Sequence, residues 1–272
     1  MPEGGTLKMS EGAAIDEEFA VSKSMKVIGN GVQFNKQVTV TDADVEFDNA
    51  VFVASGTDAQ SKTPAIKVSG TSPFTMKNCE VKGAARTAVN IMTNGKIDIE
   101  GCTFDAGNQD IYNMIEFSIS NARDIEEVVI KGNTFKGALK NNGICLYNLA
   151  EGAKIDISDN KFLDIDVSNN PIRLSNPKNV SATFNFENNV YTFSSDVPNA
   201  EGYTAFMLLR DYSKSGAPMQ DFSKFDIHFK NLRRGEKILT EKGTGLDQVY
   251  YVYMDQKGIL PDGENDPVVT FE

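Results

Sequence analysis

Tryptophan is absent from this chain of 272 residues, histidine occurs once and cysteine three times. Three thiols make no disulfide framework, and Cys79, Cys102 and Cys145 are expected as small buried residues. Basic residues are outnumbered: 27 Lys and Arg against 38 Asp and Glu give a formal charge of −11. That balance disfavours a nucleic acid backbone or an anionic membrane as partner. No run comes near the roughly 18 apolar residues that span a bilayer, and the N-terminus lacks the basic and apolar stretches of a signal peptide. Nor does a low-complexity linker mark off a second domain; the length is enough for a full core in one elongated domain.

What is present is an imperfect repeat. Ile155–Phe162 (IDISDNKF) reads apolar, x, apolar, x, x, Asn, x, apolar. It returns at Met25–Val32, Val45–Phe52, Phe74–Val81, Ile97–Phe104, Val128–Phe135, Phe184–Tyr191 and, more loosely, Phe225–Leu232. The starts lie 20 to 41 residues apart, within the range of stacked-repeat architectures. Apolar residues at the first and third positions alternate with polar ones, which is the period of a strand. The sixth position is Asn30, Ala50, Cys79, Cys102, Asn133, Asn160 or Asn189, usually preceded by Gly, Asn or Asp. Those residues tolerate left-handed backbone and mark a tight bend. A second apolar pair follows in most units: Ile66/Val68, Val89/Ile91, Ile115/Phe117, Ile144/Leu146, Ile172/Leu174 and Met207/Leu209. Each unit is therefore strand, bend, short strand, loop, strand. Because one face of each strand is polar, the units are expected to stack about 4.8 Å apart around a single core, with their outside in water. In such a stack Cys79 and Cys102 lie one above the other as reduced thiols.

The repeat, with its Asn ladder in the bend and an opening GGTLKMSEG (Gly4–Gly12) followed by KVIGNG (Lys26–Gly31), resembles the right-handed parallel β-helix superfamily typified by pectate lyases, over about residues 4–232. The resemblance implies an all-β fold: a single-stranded right-handed parallel β-helix, a solenoid of about 8–9 coils with an N-terminal cap. Residues 1–24 are assigned to the cap, with a short helix between Ala13 and Ala20 closing the end of the core. Residues 25–272 are assigned to the β-helix, with longer loops projecting at 194–224 and 233–248. Val249–Tyr253 and Pro267–Phe271 read as strands, the latter as the last rung.

The outward positions carry the remaining information. The fourth position runs Asp48, Lys77, Glu100, Lys131, Ser158, Glu187, His228, so opposite charges fall on successive rungs and favour the correct register. The outward column of the second apolar strand runs Lys67, Asn90, Glu116, Cys145, Arg173, Leu208. Lyases of the resembled superfamily use clustered carboxylates to bind calcium and an arginine or lysine as base. Glu116, Arg173 and Lys67 are the candidate catalytic set on that analogy, although Glu116 and Arg173 lie two rungs, roughly 10 Å, apart and only one carboxylate is present. The Gly-His-Gly of the related hydrolases and the tryptophan motif of the esterases are absent. Tyr250, Tyr251 and Tyr253 are a candidate binding surface, because aromatic faces fit the apolar face of a sugar ring. No cofactor or metal is expected. Asp105/Asp110, Asp156/Asp159 and Asp164/Asp166 are the calcium candidates, and turn formation accounts for them without an ion.

The chain is accordingly expected to be a non-enzymatic structural or binding protein. A phage virion component, such as a capsid decoration or tail-associated protein, fits the missing signal peptide and catalytic motifs. Its partners would be another protein or itself, through the C-terminal loops, or a polysaccharide, and neither nucleic acid nor membrane. The alternative is a carbohydrate-active enzyme, a polysaccharide lyase or glycoside hydrolase, or a glycan-binding surface protein of a bacterium, extracellular or at the cell surface after removal of a signal peptide.

Overall fold

The computed structural model describes residues 3–53, 63–83, 87–107, 113–117, 124–137, 142–176, 179–211, 220–255 and 257–272. Strand dominates. Among the described residues the helical segments are two three-residue 3-10 turns, Phe222–Lys224 and Gly245–Asp247. The strands are mostly parallel and form two sheets, one of eighteen strands and one of ten.

The large sheet is built from the repeat itself. Val45, Phe74, Ile97, Val128, Ile155 and Phe184 each face their counterpart on the next repeat. All six are buried to within 1%. The eighth position follows suit: Phe104, Phe135 and Phe162 stack at ring separations of 4.8 and 4.7 Å, nearly parallel. Each such ring contributes about 1.5–3 kcal/mol through burial alone, so the spine of phenylalanines is a main source of cohesion. The small sheet carries the second apolar pairs, with Val38, Ile66, Val89, Ile115, Ile144, Ile172, Met207 and Tyr250 in successive register. One continuous buried cluster joins both sheets from Val21 to Leu260.

Between the first and second strands of each repeat the chain bends. In six of the repeats the left-handed residue is the fifth: φ is 56° at Asn49, 53° at Asn78, 57° at Asp159 and 55° at Asn188, with Gly101 and Gly132 at 64° and 67°; in the first repeat it is the sixth, Asn30, at 50°. The sixth residue is thereby turned inward. Asn133, Asn160 and Asn189 are fully buried there and hydrogen-bond one another from rung to rung. The Asn160 Oδ1 accepts from the Asn133 backbone N–H at 2.9 Å, while its Nδ2 donates to the Ile130 carbonyl at 2.8 Å. In the two rungs before Asn133 the same position holds Cys102 and Cys79. The Cys79 N–H donates to Cys102 Sγ at 3.4 Å, and both thiols are reduced and buried. The ladder satisfies backbone groups that the bend removes from sheet pairing, which is why polar side chains persist in the core.

Three expectations need correction. The strands do not form a single-stranded solenoid. Met25–Phe34 and Val45–Val53 run on through the bend as continuous strands, so the first and second strands of the repeats join one large sheet, with the small sheet as its partner. No helix forms between Ala13 and Ala20: Ala14–Ile15 and Phe19–Val21 are strands, because each finds a parallel partner in the following repeat, at Gln33–Phe34 and Val38–Val40. The last repeat sits two residues later than its sequence suggests, with Phe184 opposite Ile227 and Ala182 opposite Phe225. Consequently Lys230, not His228, follows Glu187 in the charged column, and the two pair at 2.6 Å.

The chain ends differently at its two extremities. At the N-terminal side Leu7, Met9, Ile15 and Phe19 are only partly buried against the core. At the C-terminal side two antiparallel pairs, Arg233–Arg234 with Lys237–Ile238 and Tyr250–Met254 with Gly258–Ile259, bring Leu239 and Leu260 down over it.

Candidate binding site

The outer face of the small sheet holds the functional candidates. Its column runs Lys67, Asn90, Glu116, Cys145, Arg173, Leu208, each opposite the next as expected, and continues to Tyr251. Strand alternation puts every second residue on this face. The second outward column therefore includes Tyr147, Ser175, Arg210 and Tyr253, again rung upon rung.

The structure separates the proposed catalytic trio rather than gathering it. Lys67 and Arg173 are four rungs apart, about 19 Å at the usual strand spacing, with Glu116 midway. The Glu116 carboxylate is engaged locally: Oε2 accepts from Asn113 Nδ2 at 2.6 Å and from Thr87 Oγ1 at 3.3 Å. Between Glu116 and Arg173 lies Cys145, fully buried although it stands on an outward strand position. Burial pushes its thiol up to about 12 despite the opposing effect of Arg173, so it is not a nucleophile at neutral pH. Tyr147, beside it, is likewise raised by burial.

Three of the calcium candidates are engaged by their own surroundings. Asp105 pairs with Lys136 at 3.1 Å and caps the Gly107 N–H at 2.9 Å. Asp159 lies in a left-handed bend, near Lys131 at 3.7 Å, and Asp166 holds the turn at Ser168 through Oδ1. Asp110 lies outside the described residues. Among the described residues no three His, Cys, Asp or Glu side chains gather in a group able to hold a metal ion.

A pocket does form at the C-terminal end of this face, enclosing about 190 Å³ between Arg173, Arg210, Tyr203, Tyr251, Tyr253 and the turn Ser168–Asn170. Tyr251 is nearly buried and donates from its hydroxyl to Asn170 Oδ1 at 3.2 Å. Asn170 Nδ2 in turn donates to the Tyr203 and Ala205 carbonyls at 3.2 and 2.9 Å. One buried amide thus ties the strand, the 166–170 turn and the 199–206 segment together. The Tyr203 ring stands 6.2 Å from both the Tyr251 and the Tyr253 ring, tilted to each. Arg173 donates from Nε to Ser175 Oγ at 2.8 Å. Arg210 lies 5.5 Å from the Tyr253 ring centre and donates from Nε to Asp255 Oδ1 at 2.7 Å.

The tyrosines expected to form one surface therefore divide. Tyr251 and Tyr253 face the pocket, whereas Tyr250 points into the core opposite Met207. Its hydroxyl donates to Asp266 Oδ2 at 3.3 Å and Lys242 Nζ sits 4.5 Å from its ring centre. The reason is the two-residue period of the strand. Tyr203, Arg210 and Asn170 are not singled out by the sequence pattern. Arg210 could have been found, being two residues past Leu208 on the same face, but Tyr203 and Asn170 arrive from loops whose folding back no repeat encodes.

No family model, curated protein or solved structure matches this chain.

Proposed function

We propose that the protein is a non-catalytic parallel β-helix of the pectate lyase-like type, and that it acts by surface contact, with the Arg173–Tyr253 end of the small sheet as its recognition face. One observation carries this. The column in which lyase chemistry would reside contains a single carboxylate, Glu116, already hydrogen-bonded by Asn113 and Thr87 and about 10 Å from Arg173. The far end of that same face is instead an open pocket of guanidinium and phenol groups, the composition enriched at binding hot spots. The setting we attach to this role is a particle surface, as a capsid decoration or tail-associated protein.

The test is incubation with a panel of acidic and neutral polysaccharides, with and without calcium, following unsaturated-product absorbance, new reducing ends and retention of the protein. Binding without product, lost in Tyr253→Ala, is the expected result. The second reading, a polysaccharide lyase, is favoured by Arg173, which has no carboxylate partner among the described residues and so retains its charge for a substrate. Unsaturated product that disappears in Arg173→Ala would establish that reading in place of the first.

A further inference from the structure

Building on the binding role just proposed, we infer that the pocket takes a small ring carrying a single carboxylate, and that Asp255 sets this charge count. The two arginines lining it are not equivalent. Arg210 is held over Tyr253 and donates to the Asp255 carboxylate at 2.7 Å, so its charge is matched before any ligand arrives. Arg173 donates from Nε to a neutral hydroxyl, that of Ser175, and forms no carboxylate pair among the described residues. Its neighbours on the column are the buried thiol of Cys145 and the side chain of Leu208. The pocket thus offers one uncompensated cation, as a planar fork suited to a carboxylate.

The walls select the rest of the ligand. Tyr203 meets Tyr251 and Tyr253 at interplanar angles of 53° and 60°, making an angled aromatic seat against which a flat ring can lie. Asn170 is saturated by Tyr251 and two carbonyls, so it fixes the seat and leaves the ligand's charge to Arg173. About 190 Å³ lies below the roughly 300–1,000 Å³ of pockets for drug-sized ligands, which restricts the occupant to one ring. A neutral sugar would offer Arg173 only hydroxyl acceptors, which leave its charge uncompensated and make weaker hydrogen bonds than a carboxylate does. A phosphate monoester, doubly charged at pH 8, would meet one unmatched cation and the repulsion of Asp255.

Calorimetric titration of the full chain at pH 8 with glucuronate, benzoate, glucose and glucose 6-phosphate tests this. At least one of the two ring acids should bind about fivefold or more tightly than glucose and glucose 6-phosphate, and which of them does so identifies a sugar acid or an aromatic acid as the source. Arg173→Ala should lose that binding with an unchanged melting temperature, and Arg173→Lys should keep part of it. Asp255→Asn should improve glucose 6-phosphate about fivefold relative to the acid, in line with one partly exposed charge. Equal binding of glucose and both acids, or an unchanged ratio in Asp255→Asn, overturns the inference. Silence toward every small acid, with polysaccharide retention still lost in Tyr253→Ala, overturns the charge assignment alone. Silence in both experiments removes the binding role as well.

Discussion

On the outer face of the large sheet Lys26 meets Glu46 at 2.6 Å, Lys77 meets Glu100 at 3.6 Å and Lys230 meets Glu187 at 2.6 Å, each partner one rung away. On the outer face of the small sheet Arg173 has Cys145 on one side and Leu208 on the other. Both faces obey the same alternation and stand on the same core. What separates them is whether a charge is answered by the next repeat. Where it is, the side chain has a structural task, since a slipped register would place like charges together. Where it is not, and aromatic rings converge on it, the charge is left without a carboxylate partner among the described residues. The hydrogen bond to Glu46 holds Lys26 above the usual lysine value, and that to Glu187 does the same for Lys230, so these cations are already engaged by their neighbours.

The deepest way to break the comparison is to damage what both faces share. Asn160→Ala would strand the Asn133 backbone N–H, one N–H of the Asn133 side-chain amide, whose other bond to the Ile99 carbonyl remains, and the Ile130 carbonyl in the core. Each unsatisfied group costs about 1–3 kcal/mol, and with partial relaxation the expected loss is roughly 3–5 kcal/mol. Thermal unfolding followed by circular dichroism should show the midpoint falling by roughly 6–20 °C. A fall of less than about 2 °C would mean that the ladder is filled by water or by local movement and is not what holds the bend.

The next largest effect sharpens the comparison by leaving stability alone. Tyr253→Ala removes one wall of the pocket from a half-buried outward position. Retention on whichever polysaccharide the wild type binds should drop about tenfold, as for a ring at a binding hot spot, while the melting temperature moves by no more than about 2 °C. The reverse pattern, weakened folding with retained binding, would make the tyrosines a structural cover for the end of the sheet.

Much of this is open to reading in the chain. Ile155, Ile157 and Phe162 announce their own burial by spacing, and the column from Lys67 to Leu208 follows once the second apolar pairs are aligned. The errors arise where a residue answers to a distant neighbour. Phe225 fits the repeat as well as Ile227 does, and only the partners along Ala182–Glu187 decide between them. Ala14–Ile15 has no strand signature of its own and becomes a strand because the edge of Gln33–Phe34 is there to receive it. The pocket is half legible: Arg173, Tyr251 and Tyr253 belong to the repeat, but Tyr203 and Asn170 are joined by a hydrogen bond across 33 residues.

At the C-terminal corner one carboxylate answers two cations, the opposite extreme from Arg173. Against the raising effect of burial, Lys237 and Arg234, each 2.5 Å from an Asp247 oxygen, hold that carboxyl below its ordinary value. A depressed folded value means that the stabilisation is complete above the unfolded value of about 3.9 and is lost as pH falls through the folded one. Hydrogen exchange at the Arg233–Ile238 hairpin, taken relative to the intrinsic amide rate at each pH, should therefore accelerate below about pH 4 in the wild type. In Asp247→Asn it should already be faster at pH 7, with a flatter pH profile. Equal profiles would show that the hairpin is held by Leu239 packing alone.

The smallest expected effect tests the large-sheet face itself. Glu100 lies between Lys77 and Lys131 on successive rungs, with its side chain half exposed. Exposed pairs contribute about 0.2–1 kcal/mol and are screened by salt, so Glu100→Gln should lower the midpoint by about 1–3 °C at low ionic strength and by less at 1 M salt. Glu100→Lys, which places three cations in line, should cost more and recover further with salt. Neither change should alter binding at the pocket, because that face ends on the other sheet. If Glu100→Lys weakened retention on a ligand while Tyr253→Ala did not, the charged ladder would be the recognition surface, and the pairing of its charges would be a resting state rather than their purpose.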